Sequence, residues 1–255
     1  MNDCLRINTE LDGKLLRLTL NRSKANIVDA EMIAALEAAF DDYANESDLT
    51  AVLLDAEGPH FSFGASVEEH LPDSCADMLA SLHALVKTML SYPVPVLVAV
   101  QGQCLGGGLE VAMAGHMIFA HPAAQLGQPE MMLGVFAPAA SVLMPERMGQ
   151  PLAQDLLLSG RSMGAGEALE AGLIDHLTDA PAEAARAYVA KHLAHKSTSS
   201  LRLGVRAARA PFLARVLPYI DEVERIYLQE LMSTRDAVEG LTAFLAKRPA
   251  KWENK

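Results

Sequence analysis

Short apolar runs rich in β-branched residues alternate with longer amphipathic stretches through the first half of the chain. "LLRLTL" and "AVLLDA" predict strands. Between them, residues 29–45 set Met32, Ile33, Leu36, Phe40 and Tyr43 on one helical stripe, with Asp29 as its N-cap. "VPVLVAV" predicts a third, buried strand, Gly107 to Gly115 a short helix, and "HMIFAH" a fourth strand. This repeated order predicts an α/β protein with a largely parallel sheet covered by helices. From about Pro181 the pattern becomes helical, and "RVLPYIDEVERIYLQELMSTRDAVEGLTAFLAKRP" spaces apolar residues at helical intervals with charges between them. A composition shift at "KSTSS", Lys196 to Ser200, divides a core (1–195) from a helical extension (196–255) docked on that core or on another subunit.

Composition narrows the class. The chain has 255 residues, 51% apolar and 21% charged, as in a globular domain with a sizeable core. A formal net charge of -11 offers no broad basic field, which weighs against nucleic-acid partners. The opening "MNDCLRINTELDG" lacks a basic segment followed by an apolar stretch, and no run reaches transmembrane length, so the expectation is a cytoplasmic protein with no membrane partner. Cys4, Cys75 and Cys104 are odd in number and lack ligand-pair spacing, which predicts neither a disulfide framework nor a metal site. Cys104 beside the glycines has no nearby triad-like histidine and reads as a small buried residue rather than a nucleophile.

The chemistry concentrates around "QGQCLGGGLEVAMAG". A strand, three glycines and a helix invite a dinucleotide-binding reading, but Val111 stands where that fingerprint needs Gly or Ala, and Glu130 lies in "GQPEMMLG" rather than at a strand end. A different use suits the residues better. Free N–H groups at a helix start, aligned with the positive end of its dipole, stabilise a developing oxyanion, and the Ala65 N–H after Gly64 in "HFSFGASVEEH" supplies a second donor. Alone, each turn is equally a plain tight turn. Glu110 falls in the first turn of the helix after the glycines, and Glu130 follows Pro129 in a second turn. A dipole-stabilising carboxylate and an exposed loop charge are the simpler readings, yet the small and apolar flanks of both predict carboxyls with raised pKa values that border one pocket.

In these motifs the chain resembles the crotonase, or enoyl-CoA hydratase/isomerase, superfamily. The matching segments are "LTLNRSKAN", "FSFGASVEEH", "PVPVLVAVQGQCLGGGLEVAMAGHMIFAHPAAQLGQPEMMLGV", "LLLSGRSMGAGEALEAGLIDHL" and "EGLTAFLAKRPAKW", in family order across nearly the whole sequence. The resemblance implies a spiral of ββα units, a C-terminal helical region that packs homotrimers or dimers of trimers, and an acyl-CoA thioester as ligand. It places Ala65 and Gly107 at the oxyanion-hole positions and Glu110 and Glu130 at the two acid/base positions that family hydratases keep. It puts Lys24 and Ala25 near the CoA nucleotide, Phe63 among the substrate contacts, and Phe244 and Lys247 at tail positions that contact CoA from an adjacent subunit. The implied reaction is addition of water to a conjugated thioester, with Glu110 activating the water and Glu130 delivering the α-proton, and with no metal or redox cofactor.

Departures from the family narrow the acyl group. "FAPAASVLMPERMG" replaces a glycine-rich stretch, and Ser66 stands where many members have Asp. Both segments are similar to those of hydratases acting on cyclohexa-1,5-diene-1-carbonyl-CoA in anaerobic benzoyl-CoA degradation. Phe136 and Pro138 to Met144 then form a bulky apolar wall for a flat ring, and water adds at the far end of the conjugated system to give 6-hydroxycyclohex-1-ene-1-carbonyl-CoA. A general short-chain 2-enoyl-CoA hydratase or isomerase is the rival enzyme, and a non-catalytic thioester-binding protein the rival of another class. Retention of two carboxyls against apolar flanks argues against the latter, because such burial is costly without a use.

Overall fold

Leu5–Glu10 (β1) and Leu15–Leu20 (β2) form an antiparallel hairpin, turned by Leu11, Asp12 and Gly13 at positive φ. The computed structural model of the chain describes residues 4–22 and 25–255. Ala30–Tyr43 (α1) begins at Asp29, whose side chain accepts from the Met32 N–H as an N-cap. Ala51–Ala56 (β3), Cys75–Leu90 (α2), Val96–Val100 (β4), Gln103–Leu105 (β5), Gly107–Ala114 (α3), Met117–Ala120 (β6) and Gln125–Gly127 (β7) follow. Next come Pro138–Met148 (α4), Gln150–Ser159 (α5), Ser162–Gly164 (β8), Ala165–Ala171 (α6), His176–Leu177 (β9), Pro181–Tyr188 (α7), Thr198–Gln229 (α8) and Arg235–Leu245 (α9).

The main sheet runs in the order β1-β2-β3-β4-β6-β9 and is parallel except for β1. Its alternation divides two cores. Leu16, Leu18, Leu20, Val52, Leu54, Val96, Val98 and Val100 face α1, α2 and α3, whereas Leu15, Ala51, Leu53, Leu97, Ala99 and Phe119 face α7. Burial on both faces explains why β3 and β4 read as continuous apolar runs.

A second, smaller layer makes the spiral. β5, β7 and β8 pair in it, and isolated bridges Val28↔Ala65 and Ser62↔Cys104 continue it toward the N-terminus. Thus β2, Val28 and α1; β3, Ser62 and α2; β4, β5 and α3; and β6, β7 and α4 repeat one ββα unit four times. The predicted strands and helices are all present, but β1, α2 and this small layer were not foreseen. β1 buries only Leu5 of its six residues, and the small layer is built from three-residue pairings and isolated bridges too short to carry a period.

The boundary at 196–200 coincides with the start of α8, capped by Ser197. α8 packs against α2 and α4, so the helical extension docks on its own core, and it runs through Pro211 and Pro218. α9 lies against the turn Pro129–Leu133, and a Cβ at Gly240 would come within 2.0 Å of the Leu133 carbonyl oxygen. Gly240→Val should therefore unseat α9 at a cost of about 1–3 kcal/mol. Faster tryptic cleavage after Lys247, with an unchanged far-UV spectrum, would register it; wild-type protease resistance would show that α9 is held elsewhere.

Candidate active site

The small layer brings three turns to one place. Ser62 N–H donates to Gln103 O (3.0 Å), Leu105 N–H to Ser62 O (3.0 Å), and Gly106 N–H to Gly127 O (3.0 Å), so residues 62–66, 105–108 and 127–130 lie side by side. Gly64 N–H is taken by Ser62 Oγ at 3.0 Å. Glycine is required by contact here. A Cβ on Gly108 would lie 2.5 Å from Ser62 Cβ, and one on Gly107 would lie 3.0 Å from Ala65 Cβ and 3.1 Å from Ala65 N. Close approach sets the Ala65 and Gly107 amides next to each other, and neither finds an acceptor among the described residues. Gly107 opens α3, where the helix dipole adds positive potential.

Glu110, on the first turn of α3, is 2% exposed. Its Oε1 accepts the Ala140 N–H at 2.8 Å, so the carboxylate sits at the N-terminus of α4. Burial raises its pKa, while the His83 imidazole and the Ala140 and Ala139 N–H groups pull the other way. Glu130 has fewer such donors. Burial and then the charge of Glu110 push it up to about 8. One oxygen of Glu130 stands over Gly106, whose φ is 50°, and a Cβ there would lie 2.4 Å from it. Gln128, almost wholly buried, directs its amide at the same carboxyl; with its NH2 group turned inward it donates to Oε2 at 3.0 Å. The two carboxyls form one coupled pair, in which the charge of Glu110 adds to burial in holding the proton on Glu130.

A cavity of about 530 Å³ opens over these turns, lined by Phe63, Ala65, Gly106, Glu130, Val135 and Phe244 among others. Glu110 is buried and is not among the residues that line it. Ala25 holds the neighbouring turn, its carbonyl accepting the Phe63 N–H at 3.0 Å, and does not line the cavity. Lys24 lies outside the described residues. Phe136 does not line the cavity either: its ring meets Tyr227 edge-on at 5.2 Å, because residues 138–148 form α4 instead of an extended wall. Phe244, 53% exposed, stands over its own chain's cavity, and Arg248 rather than Lys247 joins it. His70 and Met132 also line it, and the sequence reading overlooked both. His70 belongs to the quoted "FSFGASVEEH" segment, whereas Met132 reads as one more apolar residue of "MMLGV". Cys104 is fully buried and its thiol pKa is pushed up by burial, which agrees with a packing role.

Residues 10–255 match the family described as Enoyl-CoA hydratase/isomerase. The chain belongs to the enoyl-CoA hydratase/isomerase family. It is 59% identical over 251 residues to a cyclohexa-1,5-dienecarbonyl-CoA hydratase of Thauera aromatica, covering 98% of this chain and 97% of that one. Over 268 residues it is 28% identical to a carnitinyl-CoA dehydratase of Proteus mirabilis, covering 100% of both. The fold matches a crystal structure of an enoyl-CoA hydratase/isomerase from Pseudoalteromonas atlantica, with a TM-score of 0.84, 27% identity, and 98% and 99% of the two chains covered. The acyl-CoA ligand and the ββα spiral inferred from the family resemblance both follow from this membership.

The raised pKa of Glu130 has a consequence for stability. From about pH 4.5, its ordinary value, to about 8, the folded state holds a proton that the unfolded chain has released, so this group's contribution falls as pH rises through that window. Glu130→Gln should match the wild type in melting temperature below pH 4.5 and exceed it above pH 8. Parallel melting curves at both ends check this; equal midpoints at pH 8 would mean that Glu130 is not held neutral.

Proposed function

We propose that the protein hydrates a cyclic conjugated dienoyl-CoA, converting cyclohexa-1,5-diene-1-carbonyl-CoA into 6-hydroxycyclohex-1-ene-1-carbonyl-CoA. The observation that carries the reading is 59% identity to a hydratase of that name across nearly all of both chains. The paired amides and coupled carboxyls support it chemically.

In this reading Glu110 takes a proton from water as the oxygen bonds to the ring carbon next to the thioester-bearing carbon. The electrons move onto the thioester oxygen, which accepts hydrogen bonds from the Ala65 and Gly107 N–H groups. The resulting enolate extends over the second double bond. Glu130 gives its proton to the far carbon of that bond, and the remaining double bond forms between the two positions, conjugated with the restored carbonyl. Bond balance thus corrects the expected ends of addition: the proton, not the water, goes to the far end. With a simple enoyl-CoA the same Glu130 proton goes to the α-carbon. One water is consumed, and exchange with solvent returns both carboxyls to their starting states. The atoms balance with no redox partner, so the proposed reaction uses no metal or redox cofactor beyond the coenzyme A of the substrate.

The reading extends to a cytoplasmic homotrimer or dimer of trimers in which the tail residues Phe244 and Lys247 complete a CoA site, without nucleic-acid or membrane partners. No described helix is long and apolar enough to cross a membrane. Side-by-side assay with the cyclic dienoyl-CoA and crotonyl-CoA, with the products identified, tests the substrate. Turnover of the ring diene to the 6-hydroxy product is expected; efficient hydration of crotonyl-CoA alone would replace this reading by the general 2-enoyl-CoA hydratase.

A further inference from the structure

Outside the cavity lining, two buried side chains lack the partners their chemistry requires. His83, on the apolar helix α2, is 1% exposed, and its Nδ1 lies 2.5 Å from Oε2 of Glu224 on α8. Three residues further along α8, on the same helix face, Tyr227 is 0% exposed and packs against Phe136. His83 Nε2 and the Tyr227 hydroxyl are both fully buried and without a hydrogen-bond partner among the described residues. Buried polar atoms of this kind are regularly satisfied by an enclosed water.

Their location ties them to the site. α2 packs on α3, which carries Glu110, and α8 packs on α4, whose Ala140 N–H holds Glu110 Oε1. The field of His83 acts on Glu110, and the Tyr227 hydroxyl, raised first by burial and then by Cys75, also feels both glutamates. With Oε1 taken by the backbone, Oε2 has two lone pairs to share between the reacting water and a second partner. A single water suits all three atoms: it donates to the carboxylate, accepts from the tyrosine hydroxyl, and turns to serve Nε2 as either acceptor or donor according to the imidazole's protonation.

We propose that His83 Nε2, the Tyr227 hydroxyl and Glu110 Oε2 share one enclosed water, and that His83 and Tyr227 are thereby positioning residues for the base. This rests on the reading of Glu110 as base under Proposed function. The Glu224 carboxylate fixes the ring plane of His83, as carboxylates do for histidines that orient reacting groups. Neither side chain lines the cavity, so their effect belongs in turnover and not in binding.

The test uses His83→Leu, His83→Gln and Tyr227→Phe with any enoyl-CoA that the wild type hydrates. His83→Leu and Tyr227→Phe should each lower kcat by about tenfold, the scale of one hydrogen bond to a charged group, with KM unchanged. His83→Gln, which keeps a polar atom near Nε2, should recover most of the rate. The double variant should be no slower than the slower single one, because both act through the same water. Wild-type kcat in both single variants, losses that multiply in the double variant, or changes confined to KM or melting temperature would overturn the proposal. If His83→Leu fails to fold, Tyr227→Phe, which removes one oxygen atom, carries the test. A crystal structure at water-resolving resolution is a second measurement that needs no turnover: a water within hydrogen-bond reach of all three atoms supports the proposal, and a dry recess overturns it. Failure of the wild type on the ring diene bears on the substrate reading alone, since the variant-to-wild-type ratio is read on whichever thioester reacts.

Discussion

Glu110→Gln and Glu130→Gln are each expected to lower turnover by about a hundredfold or more while leaving thioester binding and the fold in place. The local geometry makes both substitutions clean. A glutamine at 110 still offers an oxygen to the Ala140 N–H, so the contact with α4 survives while the base is lost. A glutamine at 130 replaces a carboxyl that is already neutral near pH 7, so the resting charge of the site changes little and only the transferable proton disappears. Rates at saturating thioester, with KM and melting temperature measured on the same preparations, check the prediction. A near wild-type rate in either variant would remove that residue from the chemistry.

Gly106→Ala should cost as much, for a steric reason. The added Cβ would stand 2.4 Å from Glu130 Oε1, and the backbone there has φ of 50°, so the acid must move. Displacing a reacting group by about 1 Å is worth roughly a hundredfold in rate. Gly149→Ala provides the control: that residue also has positive φ, at 81°, but a Cβ on it would meet nothing within 4 Å. Both variants should lose some melting temperature through backbone strain, and only Gly106→Ala should lose turnover. Equal activity losses in the two would assign the effect to strain and not to the acid.

What the sequence made legible follows from how local each signal is. β3 and β4 are buried on both faces and α1 has a capped stripe, so short windows sufficed to find them. The glycine turn and the two glutamates were legible because glycine beside a carboxylate is an unusual pairing in an apolar stretch. The wall was misplaced at Phe136, whose partner Tyr227 lies ninety-one positions away on α8 and could not be paired with it from sequence. His83 and Glu224 escaped for the same reason, being 141 residues apart, and each by itself looks like an ordinary helix residue. The different settings of Glu110 and Glu130 are likewise a property of the assembled site, since the groups that lower the Glu110 pKa against its burial come from α2 and α4.

The bond from Ala140 to Glu110 reaches beyond catalysis. It ties the first turn of α4 to the Glu110 carboxyl, so any change that shifts residues 137–140 alters how strongly that carboxyl holds a proton. Evolution, or an engineer reshaping this segment, therefore cannot repack the start of α4 and leave the Glu110 carboxyl untouched. A variant with a remodelled α4 start would inherit a Glu110 carboxyl of altered acidity along with its new packing.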